Sequence, residues 1–149
     1  LGVGYSGRSR FADVSEDRWY ASAVNAMAEL GFVEGNEDGT FQPDAPLTYE
    51  QFIAFMSRLA AYLNLDVYEY IKDQDAQALD EDEELAPFAS WAKSGADALA
   101  RMMRSSADDQ VVSMLPTALE DIDPKGAVLR EEAAATLNNV LQMLGIIDY

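Results

Sequence analysis

Residues 35–52 read GNEDGTFQPDAPLTYEQF. Two glycines, two prolines, Asn36, Asp38 and Asp44 lead straight into a helix start, whereas a connection between two helices needs only a few residues. Thr48 and Gln51 are spaced as a T-x-x-Q capping box, in which the hydroxyl accepts from the third helical amide and the Gln side chain returns to the Thr amide. Pro43 and Pro46 keep the preceding chain out of a helix, and Gly35 and Gly39 allow positive φ in tight turns. The pattern predicts a fixed turn whose amides lie beside a helix N-terminus, a place that favours a carboxylate. The same residues equally suit a turn that does nothing more than reverse the chain.

Outward from this stretch, helical periodicity dominates. Phe52, Phe55, Met56, Leu59 and Leu63 repeat at i, i+3, i+4 and i+7, as one apolar face of a helix does. Trp19, Ala23, Met27 and Leu30, with Tyr20 and Val24, form an earlier stripe. Phe88, Ala92, Leu99 and Met102–Met103 form a third, and Ala133, Leu137, Val140–Leu141 and Leu144 a fourth. No stretch of useful length alternates with period two, so sheet is expected to be minor or absent. The fold class is all-α, with long loops between helices that pair at most briefly as strands.

The chain also repeats itself. FADVSEDRWYASAV (11–24) aligns with LDEDEELAPFASWA (79–92), and FQPDAPLTYEQF (41–52) aligns with IDPKGAVLREEA (122–133). The shifts are 68 and 81 residues, so the second copy carries 13 extra residues between its helices. The expected organisation is a tail (1–10), a first helix–loop–helix repeat (11–64), an acidic linker (65–84) and a degenerate second repeat (85–149). The insertion falls at about 104–120. The linker, KDQDAQALDEDEE at its densest (72–84), is expected to be an exposed loop.

Composition bounds the function. The chain has 149 residues, 49% of them hydrophobic, with 10 basic against 27 acidic side chains for a net charge of -17. Such a surface repels nucleic acid and anionic membranes, whose binding is driven by Lys and Arg. No apolar run approaches the roughly 18 residues of a membrane span, so membrane insertion is not expected. Leu1–Arg10 (LGVGYSGRSR) lacks the apolar core of a signal peptide, so an exported form is expected to have lost its leader. With no Cys and no His, zinc fingers, thiol catalysis and His-based acid–base chemistry are excluded. No G-x-S-x-G or P-loop is present. Catalysis and a cofactor are not expected.

FADVSEDRWYASAV and LGFVEGNEDGTFQPDAPLTYEQFIAFMSRL resemble the S-layer homology repeat. That repeat reads F-x-D-V, W-Y-x-x-A-[IV], G-[IF]-[IV]-x-G, D-G-x-F-x-P and [IL]-T-R-[AE]-[EQ]. Phe11–Leu63 carries the resemblance almost without a gap, and Leu79–Leu144 is similar to a second, decayed copy through ELAPFASWA and DPKGAVLREEAA. The resemblance implies an extracellular, non-catalytic module on a bacterial surface with a Gram-positive-type envelope. It would attach proteins to secondary cell-wall polysaccharide, often pyruvylated, through grooves between repeats. Three repeats usually close a pseudo-threefold bundle. The glycan-binding residues so implied are Asp13, Trp19, Gly35, Asp38, Thr48 and Gln51 in the first repeat and Arg130 and Glu132 in the second.

The departures are specific. Tyr49 stands where the family's motif has Arg, and Leu129 replaces the capping Thr in the second repeat. SSADDQVVSMLPTALED (105–121) replaces the glycine-rich turn. Arg130 is then the candidate for a bidentate grip on a pyruvyl carboxylate; pairing with Glu131 or Glu132 is the competing role. A structural element of a surface assembly that has lost glycan binding is the alternative function. With only two repeats, the Phe52–Leu63 helix is expected to leave an apolar flank for another surface-protein chain, or for the insertion's Val111, Val112, Met114 and Leu115. A rival pattern, D-x-D-x-x-G-x-x-x-x-x-E at Asp121, Asp123, Gly126 and Glu132, matches part of an EF-hand loop. Lys125 sits inside it, and an ammonium cannot ligate calcium. Asp73, Asp75, Glu81 and Glu84 fit a second such loop even less well, with Ala78 where Gly belongs. No metal site is expected.

Overall fold

The computed structural model describes residues 8–105 and 111–147. Part of the predicted tail (1–7) and the centre of the predicted insertion (106–110) lie outside the described residues. The chain forms two compact units, Leu1–Pro46 and Leu47–Tyr149. Their boundary falls inside the first sequence repeat, because that repeat's long helix packs with elements of the second.

Among its described residues the first unit contains one helix, α1 (Ala21–Glu29). Its buried face presents Ala21 and Ala28 to Phe11 and Val14, with Tyr20, Val24, Val33 and Phe41 packed around them. Small side chains on α1 let the Phe11 and Phe41 rings approach, with centroids 5.3 Å apart. Buried Asn25 fixes the N-terminal segment: it accepts from the Arg10 amide at 2.8 Å. Arg10 donates to the Ala28 carbonyl in the last turn of α1, where the helix dipole favours a cation.

The expected stripe through Trp19 is corrected here. Trp19 is 92% exposed, and Ala23 and Leu30 are exposed too. The helix begins two residues after Trp19, which instead lies in a turn closed by the Ala21 amide on the Arg18 carbonyl. Helical spacing counted from Trp19 therefore selects the wrong face.

The second unit is built on α2 (Tyr49–Leu63) and α5 (Ser90–Arg101). Between them run α3 (Leu65–Lys72) and α4 (Ala76–Glu81). A short antiparallel pair follows, β1 (Met103–Ser105) with β2 (Val111–Ser113). A single 3-10 turn, Leu119–Asp121, then leads to α6 (Arg130–Met143). Ile53, Met56, Val67, Leu85, Leu99, Met114 and Val140 form the fully buried centre. Gly95 sets the closeness of α5 to α2: a Cβ there would lie 2.4 Å from the Ser57 hydroxyl oxygen.

The fold is mainly helical, as the periodicity predicts, with one brief strand pair among the described residues. The linker is largely exposed over 72–84, as expected, but it is helical over Leu65–Lys72 and Ala76–Glu81. Asn64 caps α3 by accepting from the Asp66 and Val67 amides, and Asp75 caps α4 through the Gln77 amide. Acidic and amide side chains that read as linker composition are helix caps, and Val67 anchors α3 in the core. Leu63 and Leu137, expected on core stripes, are exposed. α6 buries Thr136 and Val140, and Leu137 lies about 100° around the helix from Thr136. Of the expected insertion plug, Met114 and Leu115 are buried, held by their amides on the Leu99 carbonyl. Met114 and Leu115 of the insertion thus supply core to this unit, while the side chains of Val111 and Val112 lie outside the described residues.

Candidate functional site

In the first unit the turn-rich loop is locked by two carboxylates. Asp13 accepts from the Phe41 and Gln42 amides at 2.8 and 2.7 Å, one with each oxygen. These bonds, that of Phe41 foremost, hold its carboxyl below the usual aspartate range. Asp38 accepts from the Thr40 hydroxyl at 2.6 Å and the Thr40 amide at 3.0 Å, which lowers its pKa as well. Gly35 adopts φ +74, and a Cβ there would lie 2.3 Å from the Phe11 ring. Its role is to let the loop close over that ring. Gln42, at φ 57, is left-handed without being glycine. Its own amide is one of the two that Asp13 holds.

An open cavity of about 560 Å³ lies beside this lock, lined by Asp13, Ser15, Asp17, Arg18, Tyr20 and the 42–45 turn. The Arg18 guanidinium stands 5.8 Å over the Tyr20 ring. Its pKa is raised, chiefly by its hydrogen bond to the Tyr20 hydroxyl and then by the nearby charges, Asp44 and Asp17 included. Trp19 meets the Tyr20 ring edge-on, with centroids 5.5 Å apart.

In the second unit the predicted capping box forms. The Gln51 amide donates to the Thr48 hydroxyl at 3.3 Å, and the Thr48 amide donates to the Gln51 side chain at 3.1 Å. The predicted grip for a carboxylate does not form here. Tyr49 and Glu50, the first two helical residues, donate their amides to the Gly126 and Pro124 carbonyls at 2.8 and 3.1 Å. With the third amide on Thr48, the donors that a helix start offers an anion are taken from within. A bridge between Thr48 and Ala127 and the Val128 amide on the Leu47 carbonyl complete this seam. The structure therefore joins Thr48 and Gln51 to the segment leading into Arg130 and Glu132.

Glu132 is also committed. It accepts from the Thr117 hydroxyl at 3.1 Å and the Leu129 amide at 3.2 Å. The latter is half a capping box, since Leu129 has no side-chain oxygen with which to reciprocate. Tyr49, at the motif's Arg position, is buried. Its phenol is pushed above the ordinary tyrosine value by burial foremost, with the Glu132 charge adding to it. Arg130, the first residue of α6, is exposed. Among the described residues it pairs with no carboxylate, so the competing pairing with Glu131 or Glu132 does not occur.

Sequence reasoning missed two polar centres. Glu50 is buried, accepting from the Ala89 amide at 3.0 Å and from Lys125. It ties the starts of α2 and α5 to the 124–128 segment, and Lys125 in the calcium-like pattern is thereby its counterion. Buried Asp97 accepts from Tyr70, Gln74 and Arg101 at 2.8, 2.6 and 2.7 Å, while Arg101 also holds Asp82 and Glu84. Glu50 lies inside the capping box, and Asp97 stands four residues before Arg101, both detectable signals; the Tyr70 and Gln74 partners of Asp97, 27 and 23 residues away, were not. Among the described residues no three acidic side chains converge on a metal-sized site, and no helix is long and apolar enough to cross a membrane.

Comparison with known proteins agrees with the sequence pattern. Residues 10–53 match the S-layer homology domain. The chain is 36% identical over 72 residues to a cell surface protein of Thermoanaerobacter kivui, covering 47% of this chain and 9% of that protein. It is 34% identical over 67 residues to the S-layer protein sap of Bacillus anthracis, covering 45% and 7%. An amylopullulanase of Thermoanaerobacterium thermosulfurigenes is 29% identical over 143 residues, 96% of this chain and 7% of that one. The chain thus spans less than a tenth of each relative. No solved structure matches it at a significant level. Residues 10–53 therefore carry a match to the S-layer homology domain, in a chain that is also similar to short parts of cell-surface and S-layer proteins.

Proposed function

We propose that the chain anchors the protein carrying it to a bacterial cell wall of Gram-positive type by binding secondary cell-wall polysaccharide, with Arg130 gripping a pyruvyl carboxylate. The observation that carries this reading is Arg130 itself: an exposed guanidinium on the first turn of α6, with no carboxylate partner among the described residues. A guanidinium presents paired N–H donors to a carboxylate, and a helix start adds favourable field. Glu132, Thr48 and Gln51 act by shaping the seam beside it, since their polar atoms are engaged internally. Asp13, Asp38 and Gly35 act likewise by fixing the first unit's loop, and Trp19 is the exposed ring surface offered to sugar. The domain's extracellular location follows from this role.

Retention of the full chain on purified wall polysaccharide tests the proposal. Binding should fall when the ketal is removed chemically, and Arg130→Ala should weaken it roughly ten- to a hundredfold, the loss of about 1.5–3 kcal/mol expected for a charge-assisted contact. A second reading is a structural element of a surface assembly that no longer binds glycan. The α2 start, filled by the Pro124 and Gly126 carbonyls, favours it. No retention at low salt would establish that role over anchoring.

A further inference from the structure

The first unit's loop holds a peptide bond with a chemistry of its own, independent of any ligand. Asp38–Gly39 is the chain's one Asp–Gly sequence, and the chain has no Asn–Gly. We propose that Asp38–Gly39 is a latent modification site, a peptide disposed to isomerise to isoaspartate and held unreacted by Thr40 and the closed loop.

The reaction needs only water. The Gly39 nitrogen bonds to Asp38 Cγ while the carboxyl C–OH bond breaks, and that hydroxyl leaves as water with the amide proton. Water then adds to the cyclic imide at the main-chain carbonyl of Asp38. The bond from that carbonyl to the Gly39 nitrogen breaks, and the chain continues through Cγ with one methylene more. Glycine favours the ring closure, since no Cβ crowds the attacking nitrogen. In the folded loop both reacting groups are engaged elsewhere. The Gly39 amide donates to the Asn36 carbonyl at 3.0 Å. Asp38 Oδ1 accepts from the Thr40 hydroxyl at 2.6 Å and the Thr40 amide at 3.0 Å. The same hydroxyl accepts from Asn36 Nδ2 at 3.1 Å. Ring closure has to turn the carboxyl from residue 40 back to residue 39, breaking these bonds. Packing offers no equivalent shield, because a Cβ on Gly39 would meet nothing within 4 Å. The Thr40 bonds also hold the carboxyl below the usual aspartate range, whereas the neutral acid is the form that loses water. Asp13 binds the Phe41 and Gln42 amides just beyond Thr40 and keeps the loop closed. An added methylene between 38 and 39 displaces those amides, so conversion would undo the lock.

Incubation of the full chain near neutral pH, with isoaspartate at position 38 quantified by peptide mapping, tests the proposal. The folded chain should convert about thirtyfold more slowly than the free peptide GNEDGTFQP (35–43), since several hydrogen bonds must open first. Thr40→Val keeps the branched shape and removes the hydroxyl. Its rate should rise roughly fivefold or more over the parent, as the loss of two hydrogen bonds implies. Thr40→Ser retains the hydroxyl and should stay within about twofold of the parent. A folded chain that converts at the peptide's rate overturns the proposal, and so does a Thr40→Val rate equal to the parent's. If Thr40→Val does not fold, Asp13→Asn decides, because it loosens the loop while leaving Asp38, Gly39 and Thr40 in place. Faster conversion in that variant supports the proposal, and a rate equal to the parent's overturns it.

Discussion

At Asp13, one side chain does what a short strand pairing would otherwise do for the loop. Its two oxygens satisfy consecutive amides, and its lowered pKa states that the charged form is the one that binds. For a carboxylate whose folded pKa is depressed, the stabilisation is present above the unfolded value and lost as pH falls through the folded one. The Phe41 and Gln42 amide resonances should therefore titrate together with a midpoint below the ordinary 3.8, and Asp13→Asn should abolish that shared transition. A midpoint at or above 3.8 would show that the carboxylate is not held by those amides. Glu50 makes the opposite case, a buried charge whose partners come from two distant segments. Glu50→Ala strands the Ala89 amide, while the Lys125 side chain, 63% exposed, keeps its water. The substitution should cost about 1–3 kcal/mol in denaturant unfolding, above the ~0.5 kcal/mol of a surface substitution.

Among elements, α2 is specified twice, at its start and along its face. The start is the reciprocal Thr48–Gln51 pair, so Thr48→Ala should cost about 1 kcal/mol. Gln51→Ala should cost less, and the double variant less than the sum, because the two bonds are one unit. Strict additivity in that cycle would mean the box contributes nothing as a pair. Along the face, α2 meets α5 at Ser57 and Gly95 with no room for a methyl group. Gly95→Ala should lower stability by about 1–3 kcal/mol through overpacking, despite the gain in helix propensity. Adding Ser57→Ala should recover part of that loss, since it removes the nearest atom.

Over the whole molecule, charge opposes compaction. With 27 acids against 10 bases, self-repulsion lowers stability at low ionic strength, and salt screens it over roughly 8–10 Å near physiological strength. The thermal midpoint should therefore rise as sodium chloride goes from low to physiological concentration. The few surface ion pairs, worth about 0–1 kcal/mol each, pull the other way and lose. A midpoint that falls with salt would mean that the Arg101 cluster outweighs the net charge.

The sequence by itself determined the helical periodicity, the capping box and the family motif, because each rests on contacts within a few residues. The spacing of Thr48 to Gln51 suffices to form its bonds wherever the helix lies. Trp19 shows the limit: spacing cannot tell where a helix begins, so the stripe counted from it was misplaced by the turn ending at Ala21. The helices within the linker were hidden for a related reason, since an Asp such as Asp75 looks alike whether it caps a helix or solvates a loop. Only the tertiary structure decided that α2's free amides are filled by the Pro124 and Gly126 carbonyls. It alone decided that Glu132 turns inward to Thr117, leaving Arg130 exposed. Those outcomes join residues tens of positions apart, and a helix terminus accepts a backbone carbonyl or an anion by the same chemistry; what reaches it first in space is a property of packing.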